Sequence, residues 1–321
     1  MVKALNLALF EAMRADPRVL VLGQDVGQNE GVFRVTEGLL REFGPDRCID
    51  TPLAEGAIVG AGMGLAFTGF RPICEFQFEG FSFQGFHQVE NHVRRFRNRT
   101  RGRYTCPLVI RMPYGGGIRA IEHHSDAPEA TYAHLAGLKV VIPSGPRNAR
   151  ALLRAAILDP DPVIFFEPKA CYRAFREEVP EEPETLPIGK GTIARPGRDI
   201  TLISYGAMLH TALDAAEELA DEHRIDAEVL DLLSVNPLDS ALLNESVRRT
   251  GRAVVVHEAP RHCGVGAEIV ARIVEDSMPY LEAPIRRVTG YDTIMPYFSN
   301  EAAYLPDVSR IVRAAQETVR F

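Results

Sequence analysis

Residues 138–166 read LKVVIPSGPRNARALLRAAILDPDPVIFF, and this stretch decides the architecture. A short β-branched run at 138–142 predicts a strand, and 147–158 has the spacing of a helix. Asp159-Pro160-Asp161-Pro162 stops that helix, because a residue before proline is driven out of the helical region. A second apolar run at 162–166 predicts another strand. Neither strand alternates with polar residues, so both faces need cover, and a mostly parallel sheet with helices on each side follows.

The same pattern extends in both directions. VLVL (19–22), RPICEF (71–76) and PLVIR (107–111) predict strands, and 57–67 and 82–96 predict helices. Residues 177–198, EEVPEEPETLPIGKGTIARPGR, carry five acidic side chains before Leu186 and four prolines, the composition of a linker that wraps a surface. A second α/β pattern follows. Its predicted strands are ITLISY, AEVLDL, RAVVVHEA and IRRVTG, and its predicted helices lie at 207–223, near 238–250, near 266–276 and at 308–319. The expected division is a first domain over 1–190, including the linker from about 177, and a second over 191–321.

Composition narrows the function classes. The 321 residues are 46% hydrophobic and 25% charged, which excludes wholesale disorder. Lys and Arg number 36 against 43 Asp and Glu, and the net charge of −7 does not suggest a surface that tracks a polyanion, so no nucleic-acid partner is expected. No apolar run reaches membrane-spanning length, so no membrane partner is expected either. The five cysteines are odd in number and widely spaced, which predicts reduced thiols and a cytoplasmic location. The first 17 residues read as an amphipathic helix rather than a signal peptide.

Chemistry concentrates in a few places. RMPYGGGIRAIEHHSDAPEA follows a predicted strand and displays Glu122, His123, His124, Ser125 and Asp126 together after three glycines. Loops after parallel strands line sites, glycines let backbone reach a ligand, and adjacent histidines in a polar loop suit acid–base work or anion binding. Metal ligation lacks a third ligand at convincing spacing, and His124-Ser125 is not a hydrolase elbow. Glu55 opens the helix EGAIVGAGMGLAF; it reads either as a cap or as a carboxylate aimed at a ligand's ring nitrogen. Gly60, Gly62 and Gly64 in that helix imply close approach of another helix or a ligand. Phe76, Phe78, Phe81, Phe83 and Phe86 crowd the next strand-to-helix junction, where an aromatic could hold a planar ring. Arg94, Arg95, Arg97, Arg99, Arg101 and Arg103 form a basic patch, either a solvated face or a surface for a carboxylate-bearing protein.

Taken in order, VLGQDVG, GVFRVTEGL, DTPLAEGAIVGAGMGLA, RMPYGGG, EHHSDAPEA, GLKVVIPS, DPVIFFEPK, YRAFREEVPEE and EAPRHCGVGAEIV resemble the β subunit of the thiamine-diphosphate-dependent E1 component of 2-oxo acid dehydrogenase complexes. The resemblance runs over essentially the whole chain. It implies an N-terminal pyrimidine-binding α/β domain and a C-terminal transketolase-like α/β domain. It also implies an α2β2 heterotetramer with an E1 α subunit, and work on a lipoylated E2 acyltransferase core. Thiamine diphosphate with Mg2+ would be shared with the α subunit, which carries a diphosphate-binding motif that this chain lacks.

By the same resemblance, Glu55 hydrogen-bonds the aminopyrimidine and Phe81 forms an aromatic wall beside it. His124 donates a proton at the lipoyl entrance, and His123 helps bind a carboxylate. Asp126 receives no role. Leu108, Ala156, Asp159 and Asp161 match a loop that holds a monovalent cation, usually K+, mainly through backbone carbonyls. The resemblance leans toward branched-chain 2-oxo acids, with pyruvate next, acetoin-cleaving relatives behind, and an inactive structural homologue as the non-enzyme alternative.

Overall fold

The protein is described over all 321 residues by a computed structural model, with two sheets. The strands are β1 (Val19–Gly23), β2 (Cys48–Asp50), β3 (Arg71–Glu75), β4 (Val109–Tyr114), β5 (Lys139–Val141), β6 (Val163–Pro168), β7 (Thr192–Arg195), β8 (Ile200–Ser204), β9 (Ala227–Asp231), β10 (Ser234–Asn236), β11 (Ala253–Pro260) and β12 (Arg286–Gly290). The seven-stranded sheet runs β10-β5-β6-β4-β3-β1-β2, and the five-stranded sheet runs β12-β11-β8-β9-β7. All pairings are parallel except β10 with β5 and β7 with β9.

The deciding stretch folds as its pattern requires. β5 and β6 pair in parallel, Val140 opposite Ile164, with the helix Pro146–Leu158 between them in sequence. That helix opens with proline at its first turn, and the Asn148 side chain accepts the backbone N–H groups of Ser144 and Gly145. It ends at Asp159, whose backbone is extended before Pro160. Along the strands, neighbouring residues enter opposite apolar layers. Val109 and Val163 pack on one side, Ile110 and Ile164 on the other, and all four are buried. Each layer also contains residues of the second sheet, Leu202 in one and Ile203 in the other. This double cover is why the strands lack polar alternation.

Two local expectations need correction, and one short strand crosses the expected division. The helix expected over 82–96 is Ser82–Gln88, then a π-helical turn at Val89–Val93, with a separate turn at Phe96–Arg99. The Arg95 guanidinium takes the Glu90 carbonyl at 2.9 Å, and the Arg94 N–H bonds Val89 O, one residue further back than in an α-helix. Within the stretch expected as linker, Thr192–Arg195 forms edge strand β7, a position that tolerates the flanking Pro196. Finally, β10 follows residue 190 in sequence yet completes the first sheet. Asn236 Nδ2 anchors it there by donating to Ala133 O at 3.1 Å and Leu138 O at 3.0 Å.

No helix is long and apolar enough to cross a membrane. All five cysteines are free; Cys48, Cys74, Cys106 and Cys171 are buried and Cys263 is exposed.

Candidate functional site

The carboxyl ends of β3 and β4 carry the loops that assemble the site. Glu55 begins the helix Glu55–Phe67, shortly after β2. It is 3% exposed, and its Oε2 is buried without a hydrogen-bond partner. No capping bond from a side chain is formed at this helix start, so the carboxylate is not spent as a cap. The helix Ser82–Gln88 packs alongside: a Cβ on Gly85 would stand 3.2 Å from Glu55 O and 2.9 Å from the Phe76 ring, so glycine permits that approach. Phe81 immediately precedes this second helix. In the first helix, a Cβ on Gly62 would stand 2.5 Å from Cys74 Sγ. Gly60 and Gly64 face open space instead, with exposed Ala57 and Ala61 between their turns.

His124 stands against the aromatic junction. Its ring centroid lies 4.4 Å from Phe78 and 5.2 Å from Phe81, both edge-on, and its Nδ1 is 2.8 Å from Glu122 O. With Nδ1–H donating to that carbonyl, Nε2 becomes the free nitrogen of the neutral ring. His123 is exposed, in a left-handed backbone conformation, and its Nδ1 is 3.8 Å from Asp126 Oδ2. The two loops abut closely, because a Cβ on Gly80 would fall 2.3 Å from His123 O. Phe81, His123 and His124 are therefore brought together, and Glu55 sits at the head of the helix packed beside them.

The glycine run serves a different purpose from the one expected. Gly116 N–H donates to Glu258 Oε2 at 2.8 Å and Gly117 N–H to Glu301 Oε1 at 2.7 Å, both carboxylates from the second half of the chain. A Cβ on Gly115 would stand 2.5 Å from Glu258 Oε1. Gly115 thus leaves room for a protein carboxylate, and the N–H groups of Gly116 and Gly117 are taken by protein carboxylates.

The set Leu108, Ala156, Asp159 and Asp161 is already engaged by the chain itself. Leu108 O accepts Val163 N–H at 2.9 Å, and Ala156 O accepts Asp159 N–H at 3.3 Å. Lys139 Nζ binds both Asp159 oxygens, at 2.7 and 2.6 Å, and Arg97 Nε binds Asp161 Oδ1 at 2.6 Å. Arg71 Nη1 donates to Ile157 O at 2.7 Å and lies 3.4 Å from Asp159 O. Two side-chain cations thus meet the two carboxylates and Arg71 takes carbonyl oxygens of the same loop, so positive charge already reaches it from within the chain. Four arginines of the basic run are similarly occupied: Arg94 and Arg95 on Glu90, Arg97 on Asp161, and Arg99 on Asn91 O. Arg101 and Arg103 remain exposed.

Several contributors escaped the sequence reading. Lys169 is one: its Nζ lies 5.5 Å from the ring centroid of Phe78, the aromatic of the expected junction that also meets His124. Lys169 pairs with Glu79 at 2.7 Å, both fully buried. Burial pushes the Glu79 carboxyl up to about 7 against the pull of Lys169. Arg111 on β4 bridges Glu75 on β3 and Glu167 on β6, and Tyr172 donates to Glu167 at 2.6 Å. The signal available for this network was a charged residue set among the apolar residues of each of three strands. Tyr205 donates to Glu129 Oε1 at 2.7 Å, and burial pushes Glu129 up to about 8.

Comparison with known proteins fits this architecture. The model of the transketolase pyrimidine-binding domain matches residues 1–174, and that of the transketolase C-terminal domain matches 189–311. A solved structure described as a split-gene transketolase, inactive β4 tetramer, superposes with a TM-score of 0.80 at 24% identity, covering 99% of this chain and 97% of that one. The class is therefore a two-domain protein of transketolase type.

Full-length relatives narrow it. Pyruvate dehydrogenase E1 component subunit beta of Staphylococcus epidermidis is 50% identical over 321 residues, covering 100% of this chain and 98% of that protein. The Staphylococcus aureus subunit is 49% identical with the same coverage. The 3-methyl-2-oxobutanoate dehydrogenase subunit beta of Mycobacterium tuberculosis is 48% identical over 320 residues, covering 100% and 92%. The chain belongs to the family of β subunits of thiamine-diphosphate-dependent E1 components of 2-oxo acid dehydrogenases. That membership implies thiamine diphosphate with magnesium as cofactor and an E1 α subunit and E2 lipoyl domains as partners. The buried, unpartnered oxygen of Glu55 fits the cofactor's need for a carboxylate beside a ring nitrogen.

Proposed function

We propose that this chain supplies the aminopyrimidine side of a thiamine diphosphate site whose diphosphate and magnesium are held by an α subunit in an α2β2 assembly, and that its 2-oxo acid is pyruvate. The observation that carries the reading is the Glu55 carboxylate, buried, unpartnered and at the head of a helix packed against the Phe81 junction. The bound cofactor supplies the electron sink for decarboxylation. Glu55 holds a proton at the aminopyrimidine nitrogen. Phe81 lies along the ring. His124, oriented by Glu122 O and carrying a second proton on Nε2 as the imidazolium, delivers that proton to the sulfur released when the lipoyl dithiolane opens and returns to the neutral Nδ1–H ring, and His123, neighboured by Asp126, binds the substrate carboxylate.

The exposed face of Ala57, Gly60, Ala61 and Gly64 offers the close approach that a helix of the α subunit needs. We divide the chain near residue 190 and place it in the cytoplasm. The sequence resemblance leaned toward branched-chain acids. Relatives named for pyruvate, at 49–50% identity, support the pyruvate reading better. The branched-chain reading stands second, on the relative at 48%.

A paired rate measurement on the reconstituted His124→Ala enzyme tests the assignment. Turnover with a small artificial acceptor should largely persist. Transfer to a lipoylated E2 domain should fall about 10²-fold, the scale of a positioned acid. Equal losses in both assays overturn the role given to His124.

A further inference from the structure

The loop between β4 and the short helix Glu129–Ala133 carries both histidines, yet most of its fixed contacts come from the other half of the chain. Glu258, at the end of β11, accepts Gly116 N–H at 2.8 Å. Glu301 accepts Gly117 N–H at 2.7 Å and Arg119 N–H at 3.2 Å. Tyr297 Oη donates to Glu122 Oε2 at 3.0 Å, and Glu122 is the residue whose carbonyl meets His124 Nδ1. At the far end, Tyr205 holds Glu129.

Glu258 and Glu301 are each 4% exposed, and neither has a salt-bridge partner. A buried carboxylate is costly unless it is satisfied, and here the satisfaction comes from loop backbone N–H groups. The glycines are what make this possible. Gly117 has φ +91°, and a side chain at Gly115 would displace Glu258. Within the loop, Gly115 N–H donates to Asp126 O at 2.9 Å and His124 Nδ1 meets Glu122 O at 2.8 Å, ties that close it on itself without fixing it to the fold.

We propose that Glu301, Glu258 and Tyr297 are positioning residues for His124, so that the second domain sets the geometry of proton delivery without touching cofactor or substrate. The inference rests on the role given to His124 above. It predicts a loss confined to lipoyl transfer. Removing an anchor lets the loop shift and misaligns the imidazole, while the helix that presents Glu55 stays in place.

The experiment uses α2β2 reconstituted with Glu301→Ala, Glu301→Gln, Tyr297→Phe and His124→Ala. Each is assayed for thiamine diphosphate affinity, turnover with artificial acceptor, and kcat and KM for the lipoyl domain. Glu301→Ala should keep cofactor affinity and acceptor turnover within about 3-fold while kcat for lipoyl transfer falls by about 10-fold or more, inside the range of a displaced acid. Glu301→Gln retains one acceptor oxygen and should recover part of that loss. Tyr297→Phe, which removes one hydroxyl from an exposed side chain, should lower the same kcat by several-fold and leave KM unchanged. If Glu301→Ala does not fold, Tyr297→Phe decides alone. Undiminished lipoyl transfer in both folded anchor variants, with His124→Ala impaired, overturns the anchoring and leaves the histidine role intact. Undiminished transfer in His124→Ala overturns both.

Discussion

Glu55 is the residue on which the chemistry turns, and its physical situation differs from that of an ordinary helix-start carboxylate. A capping carboxylate is satisfied by backbone N–H groups, whereas Glu55 Oε2 has no partner. Glu55→Gln keeps the shape and removes the proton-holding carboxylate. We expect folding to persist and cofactor activation to fall about 10²-fold, read as the rate of thiazolium C2 proton exchange in the reconstituted enzyme. Exchange at the wild-type rate would sink the assignment.

His257 poses a question of stability at the same scale. Burial pushes its ring down to about 4, both nitrogens lack partners, and Gly264 and Gly266 press against it. Because the folded pKa is depressed, the unfolded chain takes up the proton first as pH falls below about 6.5. The folded state then loses up to about 1.4 kcal/mol per pH unit until the ring titrates near 4. Denaturant titrations of wild type and His257→Gln should diverge over that window, the wild type losing more. Parallel profiles would show that the buried ring does not govern acid stability.

Among elements, the parallel strands and their crossover helices were legible because double-sided burial leaves an unbroken apolar run. The histidine loop was legible as polar chemistry after a strand. What remained hidden depended on partners distant in sequence. The three-residue strand β10 has no periodicity to detect, and β7 is exposed and flanked by proline. Gly115–Gly117 announced close approach, but Glu258 and Glu301 lie more than a hundred residues away.

The loop at 159–161 shows the same limit: Arg71, Lys139 and Arg97 reach it from three other elements. Thermal melts in potassium chloride and tetramethylammonium chloride of equal ionic strength should therefore coincide. An ion bound at 100 times its Kd would add about 2.7 kcal/mol, so a clear rise in Tm with potassium contradicts the internal-cation account.

At the scale of the whole molecule, two sheets share continuous apolar layers, and the second half grips the loop that carries the first half's histidines. The chain still lacks a diphosphate motif, and a helix rich in small residues shows an open face beside Glu55. Both features point outward to a partner that completes the site. The most direct test is turnover of pyruvate and 3-methyl-2-oxobutanoate with an artificial electron acceptor, measured on this chain alone, on its α partner alone, and on the two reconstituted together with thiamine diphosphate and magnesium. The account predicts no turnover by either chain, turnover by the pair, and a higher kcat/KM for pyruvate. Turnover by the isolated chain, or a reconstituted α2β2 assembly that decarboxylates neither acid, would contradict it.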